Sequence, residues 1–525
     1  MESACLRQTD IPHTSRLFSD FQYHFDRVSR FYGHAPGSPQ SYAEAARQID
    51  FPDDRRAALV AALRARNGDS ASLDLLAKSG TVAVVTGQQV GLFSGPAYTI
   101  YKALTAARLA ARLTEQGIPA VPVFWLATED HDLAEVNHGY VFDRNHNPIA
   151  LRVDAAGEPQ QPVGTIALGH PPLEQLRDAL VGFPFAEEVF DLTAAAYQDG
   201  ASFGFAFEHL LRRLLANWGL LFVDPLDEPV RAIAAPLLRK ALERAPELKT
   251  RLLDRNKELE AAGYHAQVHI EAQTSLVFVL EGKRRMTLRQ SNAGYASKDR
   301  KYSVEELAAN AAHLSPNALL RPVVQDYMLP TVAYVGGPAE LAYLAQSQIL
   351  YQELLQRMPV MLARSGFTLL DARAAKLLNR HSLQVSGLFT REEVLREHIA
   401  RRLVPAELTR QFRQVEKAAS EALATLRSDL ARFDPTLGAA LDKSRTKILY
   451  QLSKLERKTA REILRRDARA TEEAHYLTGL VYPQEHLQER FYSILPFLAK
   501  HGLGLLDTLY ENVHLDCPDH KILTV

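Results

Sequence analysis

The stretch from Thr81 to His138 constrains this chain more tightly than any other. It holds a short β-branched run (Thr81 to Val85), a glycine-punctuated loop (Thr86 to Gly95), a long amphipathic segment (Pro96 to Gln116) and a second apolar run (Ala120 to Trp125) that ends abruptly in Glu129, Asp130, His131 and Asp132. That order is the signature of a β-α-β unit. The first run is apolar nearly throughout, as in a strand covered by helices on both faces, and Pro96 falls near the first helical turn, where its missing N–H costs nothing. The chain is therefore expected to be α/β, built on a parallel sheet.

Two places in that unit carry chemistry. The loop offers backbone amides near a helix start, a setting that suits phosphate or carboxylate because unpaired N–H groups and the local dipole both point at the ligand. Its candidate binding residues are Thr86, Gly87, Gln88, Gln89, Gly91, Ser94 and Gly95. The glycine spacing matches neither the dinucleotide fingerprint nor the lysine-containing phosphate loop, and a tight packing turn is the competing reading. Lys102, in the first turns of the helix, either touches a bound anion or faces solvent. Glu129, Asp130, His131 and Asp132 arrive just beyond a strand end, where open α/β sheets bind ligands. Four such groups directly after FWLA are hard to justify by packing alone.

Composition bounds the rest. A chain of 525 residues with 46% hydrophobic content suggests two or three domains. Lys plus Arg is 61 and Asp plus Glu is 62, a net charge of -1. Neither nucleic acid nor an anionic membrane is expected as a partner, since each calls for a basic bias. Only Cys5 and Cys517 are present, far apart in sequence, which excludes a disulfide framework and a cysteine-rich zinc site and fits a reducing cytosol. MESACLRQTD lacks an apolar signal core and no long apolar span follows, so a soluble, cytoplasmic protein is expected.

Along the chain, the aromatics of Phe18 to Ala45 are expected to pack on the sheet, and residues 54–78 to form helical pieces broken at Asn67-Gly68. Residues 140–169 are turn-rich, as in an antiparallel insertion, and Leu220 to Pro225 returns to strand character, ending in Asp224. His265, Gln267 and His269 alternate as on one strand face, followed by a hairpin turning at Glu281-Gly282-Lys283. Arg321 precedes the apolar run Thr331 to Val335, which stops at Gly336-Gly337-Pro338 and opens a helix carrying Glu340. The glycines permit close backbone approach and a first-turn carboxylate is favoured by the helix end, so this is either a second ligand rim or a simple strand-to-helix turn. Pro359 to Arg373 supplies one more short strand, from which Arg364 reaches toward the cleft. From Phe412 to Ile463 apolar residues recur at three- and four-residue intervals around an Asp434-Pro435 break, which predicts two long helices in an antiparallel hairpin, an arm suited to self-association.

Taken together, GQQVGLFSGPAYTIYK, FWLATEDHD with Glu135 and His138, YHAQV and YVGGPAELAY resemble the cysteine-adding enzyme family of bacillithiol biosynthesis over essentially the whole chain. The resemblance implies a Rossmann-like parallel-sheet core with inserted connecting subdomains and an antiparallel helical coiled-coil arm supporting a homodimer. It divides the chain into core (1–139), inserted subdomain (140–219), core (220–250), a second mixed insertion (251–312), core (313–385), coiled-coil arm (386–470) and a C-terminal segment on the core (471–525). The implied activity is a cytoplasmic ligase that adds L-cysteine to the amine of glucosaminyl-malate. A nucleotide, ATP or ADP, is associated with the family and Mg2+ is compatible with it; what activates the carboxylate stays open. The implied cleft lies at Gly87 to Gly95 with Glu129 to Asp132, and Gly336 and Gly337 form a companion wall.

For that chemistry the amides of Thr86 to Ser94 would stabilise negative charge. Asp130 or His131, beside Glu129, would take the amine proton. Lys102 or Arg321 would face the malate carboxylates. A different class stands beside it. If ATEDHDLAEVNH is helical, His131, Glu135 and His138 share a face in the two-histidine, one-carboxylate pattern of a divalent-metal hydrolase.

Overall fold

The structure, a computed structural model, describes residues 3–271, 273–291, 294–466 and 468–525. Its centre is a five-stranded sheet of β1 (Val82–Gln89), β2 (Ala120–Ala127), β3 (Leu221–Val223), β4 (Thr331–Gly336) and β5 (Val360–Ala363). The strands lie in the order β5-β4-β1-β2-β3 and every neighbouring pair is parallel. From β1 the chain moves outward through β2 to β3, then returns to lay β4 on the other side of β1. The strand order therefore reverses between β1 and β4, which is where doubly wound sheets open a crevice at their carboxyl ends.

Two crossover helices cover opposite faces. Helix α1 (Tyr98–Glu115) joins β1 to β2, and α2 (Pro338–Leu354) joins β4 to β5. Alternation along β1 serves both: Val82 and Val84 pack with Leu109 and Leu113 of α1, while Ala83 and Val85 pack with Leu341, Leu344 and Ile349 of α2. Each such fully buried side chain contributes about 1.5–3 kcal/mol of burial. A further stripe of α1, Ile100, Tyr101 and Leu104, packs with Phe367, Phe491 and Leu495 from the C-terminal part of the chain. The helix is thus sandwiched, which is why its sequence is apolar on more than one face.

A second sheet, antiparallel, runs Lys301–Tyr302, Gly294–Ala296, Arg284–Ser291, Thr274–Glu281, Leu314–Pro316. Its hairpin pairs Glu281 with Arg284, and Gly282 at the turn has φ +59°, a left-handed conformation open to glycine. His138–Phe142 and Pro148–Arg152 form the expected antiparallel hairpin. The chain ends meet: Ser3–Leu6 pairs antiparallel with His520–Thr524, which pairs in parallel with Phe367–Leu370.

The arm consists of α3 (Ala406–Phe433) and α4 (Pro435–Arg466). Asp434 makes the turn, its carboxylate accepting from Thr436 N at 2.7 Å, and Arg427 bridges to Asp442 at 2.8 Å between the helices. No side chain of α3 is buried, and Phe433 is 86% exposed. Among the described residues no helix is long and apolar enough to cross a membrane.

Two expectations require correction. Residues 265–269 are not a strand; the chain there is coil, and His269 is exposed. Alternation alone could not reveal that no neighbouring strand is available to pair with it. Pro359 to Arg373 holds two strands rather than one, β5 in the parallel sheet and Phe367–Leu370 in the sheet of the chain ends, because the segment crosses from one sheet to the other at Arg364 to Gly366.

Candidate active site

Beyond the carboxyl ends of β1, β2 and β4 lies a cleft of about 450 Å³. Of the residues singled out from sequence, Gly87, Gln88, Gln89, Lys102, Glu129, Asp130, His131, Arg321, Gly337 and Glu340 line it. Its floor is set by close strand packing. A Cβ on Gly87 would stand 2.7 Å from the Trp125 carbonyl oxygen and 2.8 Å from Trp125 Cβ, so only glycine lets β1 approach β2 there.

On one side of the floor the helix starts converge. Lys102 of α1 reaches across to Glu340 in the first turn of α2 at 2.5 Å, and donates as well to Gly87 O at 2.7 Å and Gln88 Oε1 at 3.0 Å. Glu340 also accepts from Gly337 N at 2.8 Å and Tyr334 Oη at 2.7 Å, capping its own helix. Burial pushes the lysine down and Glu340 pushes it back; burial would raise Glu340, but Lys102 and the cap hold it below the usual carboxylate range. The pair is therefore ionic and self-satisfied. Arg321 differs: its partners are neutral, with Tyr343 Oη at 2.7 Å and Gln325 Oε1 at 3.1 Å. Arg364 is bound by Glu489 at 2.6 Å, and Arg490 also lines the cleft.

The opposite side is the turn after β2. Glu129 is buried; its Oε2 accepts from Ser315 Oγ at 2.7 Å, while Oε1 has no partner among the described residues. Asp130 accepts from His131 N at 2.7 Å and from the Gln89 side chain. His131 Nδ1 lies 3.2 Å from Arg285 Nη1. A guanidinium has only donors, so Nδ1 accepts and the neutral ring carries its proton on Nε2. Burial, and next the Arg285 charge, hold His131 below its ordinary value of 6.5, keeping it neutral. Arg285 comes from the antiparallel sheet, stacked 3.8 Å over Phe278 and donating to Ser315 Oγ and Pro316 O, each at 2.8 Å.

The remaining sequence candidates sit elsewhere. Thr86 is buried with its hydroxyl donating to Val335 O at 2.8 Å, tying β1 to β4. Gly91, Ser94 and Gly95 do not line the cleft. Their loop is packed inward: Gly95 N donates to Leu92 O at 3.0 Å, Tyr197 Oη to Gly91 O at 3.0 Å and Ser493 Oγ to Phe93 O at 2.8 Å. Asp132 is the N-cap of the short helix Leu133–Val136, accepting from Glu135 N at 3.2 Å. Gly336 faces a neighbouring pocket rather than this one.

The metal reading fails on geometry. Only Leu133–Val136 is helical; His131 precedes that turn and His138 opens a strand, while Glu135 accepts from Gln89 at 3.1 Å. The three side chains never share a helix face, and among the described residues no group of three His, Cys, Asp or Glu side chains is placed to hold a metal ion.

Sequence reasoning missed Arg285, Phe278, Asn317, Tyr334 and Arg490 as cleft residues. Arg285 had a signal, an arginine at an inward position of an alternating strand, but which sheet face met the cleft was not written in the local pattern.

Comparison with known proteins places these features in context. Residues 1–365 match the family model "Bacillithiol biosynthesis BshC, N-terminal Rossmann-like domain" and residues 367–525 match "Bacillithiol biosynthesis BshC, C-terminal coiled-coil domain". A protein of Solibacter usitatus named "Putative cysteine ligase BshC" is 54% identical over 525 residues, covering 100% of both chains. Proteins of the same name are 36% identical in Koribacter versatilis, over 99% of each chain, and 30% identical in Salinibacter ruber, over 97% of this chain and 96% of that one.

Proposed function

The chain belongs to the BshC family of bacillithiol biosynthesis, and from that membership we propose that it is a carbon–nitrogen ligase joining L-cysteine to the amine of glucosaminyl-malate in the cleft between β1, β2 and β4. The observation that carries this reading is the separation of charge across the cleft. Glu129 and Asp130, with a neutral His131 and the Arg285 guanidinium 4.0 Å from Asp130, stand on one side; Arg321, whose hydrogen-bond partners are uncharged, stands on the other. Glucosaminyl-malate carries both an ammonium and two carboxylates, groups that these side chains can bind.

In this proposal Glu129 holds the ammonium electrostatically and Asp130 accepts the proton that must leave before the amine attacks. His131 Nε2–H donates to the carboxyl oxygen of cysteine as negative charge builds there. A C–N bond forms, one C–O bond of the cysteine carboxyl group breaks, and the departing oxygen leaves with the two protons that the ammonium sheds, as water in the net reaction. Arg321 takes a malate carboxylate; Lys102 does not, because Glu340 already neutralises it.

The Gly91 to Gly95 part of the glycine loop does not form a phosphate cradle in this cleft. Its Gly95 amide is used internally and the segment Gly91 to Gly95 faces away from the cleft, so no step here runs through a nucleotide. The arm, with Val415, Leu426, Phe433, Ile448 and Leu455 exposed, makes a homodimer in this proposal, and the reaction belongs to the cytoplasm, where a chain without disulfides is at home. The test is to incubate the protein with cysteine and glucosaminyl-malate, with and without each nucleoside triphosphate, and follow product mass. The expected product is the amide, the two substrates joined with loss of one oxygen and two hydrogens. Absence of that mass under every condition would overturn the reading.

A further inference from the structure

The two cysteines of this chain lie at opposite ends of the sequence, and the fold brings them to one spot. Ser3–Leu6 pairs with His520–Thr524 in a register that sets Cys5 opposite Lys521. The segment just before the C-terminal strand is pinned beside the N-terminal one. Gln8 and Gln22 side chains each donate to Pro518 O at 3.2 Å, and Tyr23 Oη donates to Asp519 Oδ1 at 2.6 Å. Cys517, next in chain to Pro518, is thereby brought to the same end of this sheet as Cys5. Cys5 is exposed and Cys517 half-buried. Lys521, paired with Cys5 across the strands, is anchored through its ammonium to Asn512 O at 2.7 Å. Neither thiol lines the cleft, and neither takes part in the ligation proposed above.

We infer that Cys5 and Cys517 form a thiol–disulfide exchange site for small disulfides, R–S–S–R, which closes into an intramolecular bond tying the two chain ends. The exposed Cys5, as thiolate, attacks one sulfur of the small disulfide; a Cys5–S–S–R bond forms, and the first RS⁻ leaves and takes up the proton Cys5 gave. Cys517 then attacks Cys5 Sγ, and the second RS⁻ leaves with the proton from Cys517. Two protein thiols are oxidised and one small disulfide is reduced to two RSH. The Lys521 ammonium favours the attacking thiolate. Burial and the neighbouring Cys517 hold the Cys5 thiol above 9.0, so the rate of the first step climbs about tenfold per pH unit through neutral and mildly alkaline solution.

The bond would lock the sheet of the chain ends, in which His520 is joined to Thr368 at 2.8 Å. Closing a ring around almost the whole chain restricts the unfolded state, so the oxidised protein melts higher.

The experiment uses the whole reduced chain, freed of reductant and incubated with oxidised glutathione, then quenched with N-ethylmaleimide and read as intact mass and as peptides. The expected result is that both thiols disappear, no glutathione is retained, a Cys5–Cys517 peptide pair is recovered, and sedimentation is unchanged. Cys5→Ser and Cys517→Ser should each keep one bound glutathione, since the resolving thiol is gone, with melting curves establishing that both variants are folded. A stable glutathione adduct on the unmutated chain, a disulfide between two chains, or two thiols that stay alkylatable would each overturn the proposal. The outcome is independent of whether the ligation reading holds, because no substrate of that reaction is present.

Discussion

Asp130 and His131 enter the cleft from a turn whose next residue, Asp132, is the one that caps the following helix. Capping therefore does not account for the first two. Asp130→Asn is expected to lower turnover roughly 10²–10⁴-fold while the melting temperature stays close to that of the unmutated protein; normal turnover at full folding would remove it as proton acceptor. His131 makes a separate, pH-dependent prediction. Its imidazolium is disfavoured by burial and by Arg285, so the neutral ring's contribution to stability is intact above the ordinary value of 6.5 and is lost as pH falls through the lowered folded value. The acid limb of the kcat/KM profile should thus turn below 6.5, and His131→Asn should abolish that inflection. An inflection at or above 6.5 would contradict the buried, Arg285-bound ring. Gly87 belongs to this scale too. Gly87→Ala would drive a methyl into the Trp125 backbone, and a loss of about 1–3 kcal/mol of stability is expected, read by denaturant unfolding.

At the scale of elements, a buried ion pair joins two of the helices that wall the cleft. Lys102 is 2% exposed and ties α1, on one face of the sheet, to the first turn of α2, on the other, over the carboxyl end of β1. Removing one partner strands the second charge away from water. Lys102→Met should therefore cost roughly 3–5 kcal/mol, whereas Lys102→Met with Glu340→Gln should cost clearly less than the sum of the two single changes. Additive losses in urea unfolding would mean that the two helix starts are not coupled through this contact. The same elements show how local patterns and neighbours divide the work. The glycines at Gly336 and Gly337 and the carboxylate at Glu340 marked a strand-to-helix turn in the sequence; that Glu340 closes on Lys102 of another helix was decided by the placement of β4 beside β1.

The whole molecule combines a core whose sheet is covered on both faces with an arm that has no buried side chain on its first helix. A dimer through that arm predicts that Val415→Glu with Leu455→Glu gives a monomer by sedimentation, with the core's melting transition preserved. A dimer that persists would move the interface elsewhere. The β-α-β unit, the Asn67-Gly68 break, the hairpin at Gly282 and the two long helices were legible in the sequence, because periodicity and turn chemistry act over a few neighbouring residues. The candidate site was legible in its locally patterned parts, Gln88, Glu129 and Asp130 in one strand-turn unit and Gly337 with Glu340 in another. Strand order, the inward packing of Gly91 to Gly95, the arrival of Arg285 on a separate sheet and the meeting of Cys5 with Cys517 were decided by tertiary structure. Each of these depends on which distant surface is available for burial or pairing, and no local pattern encodes that.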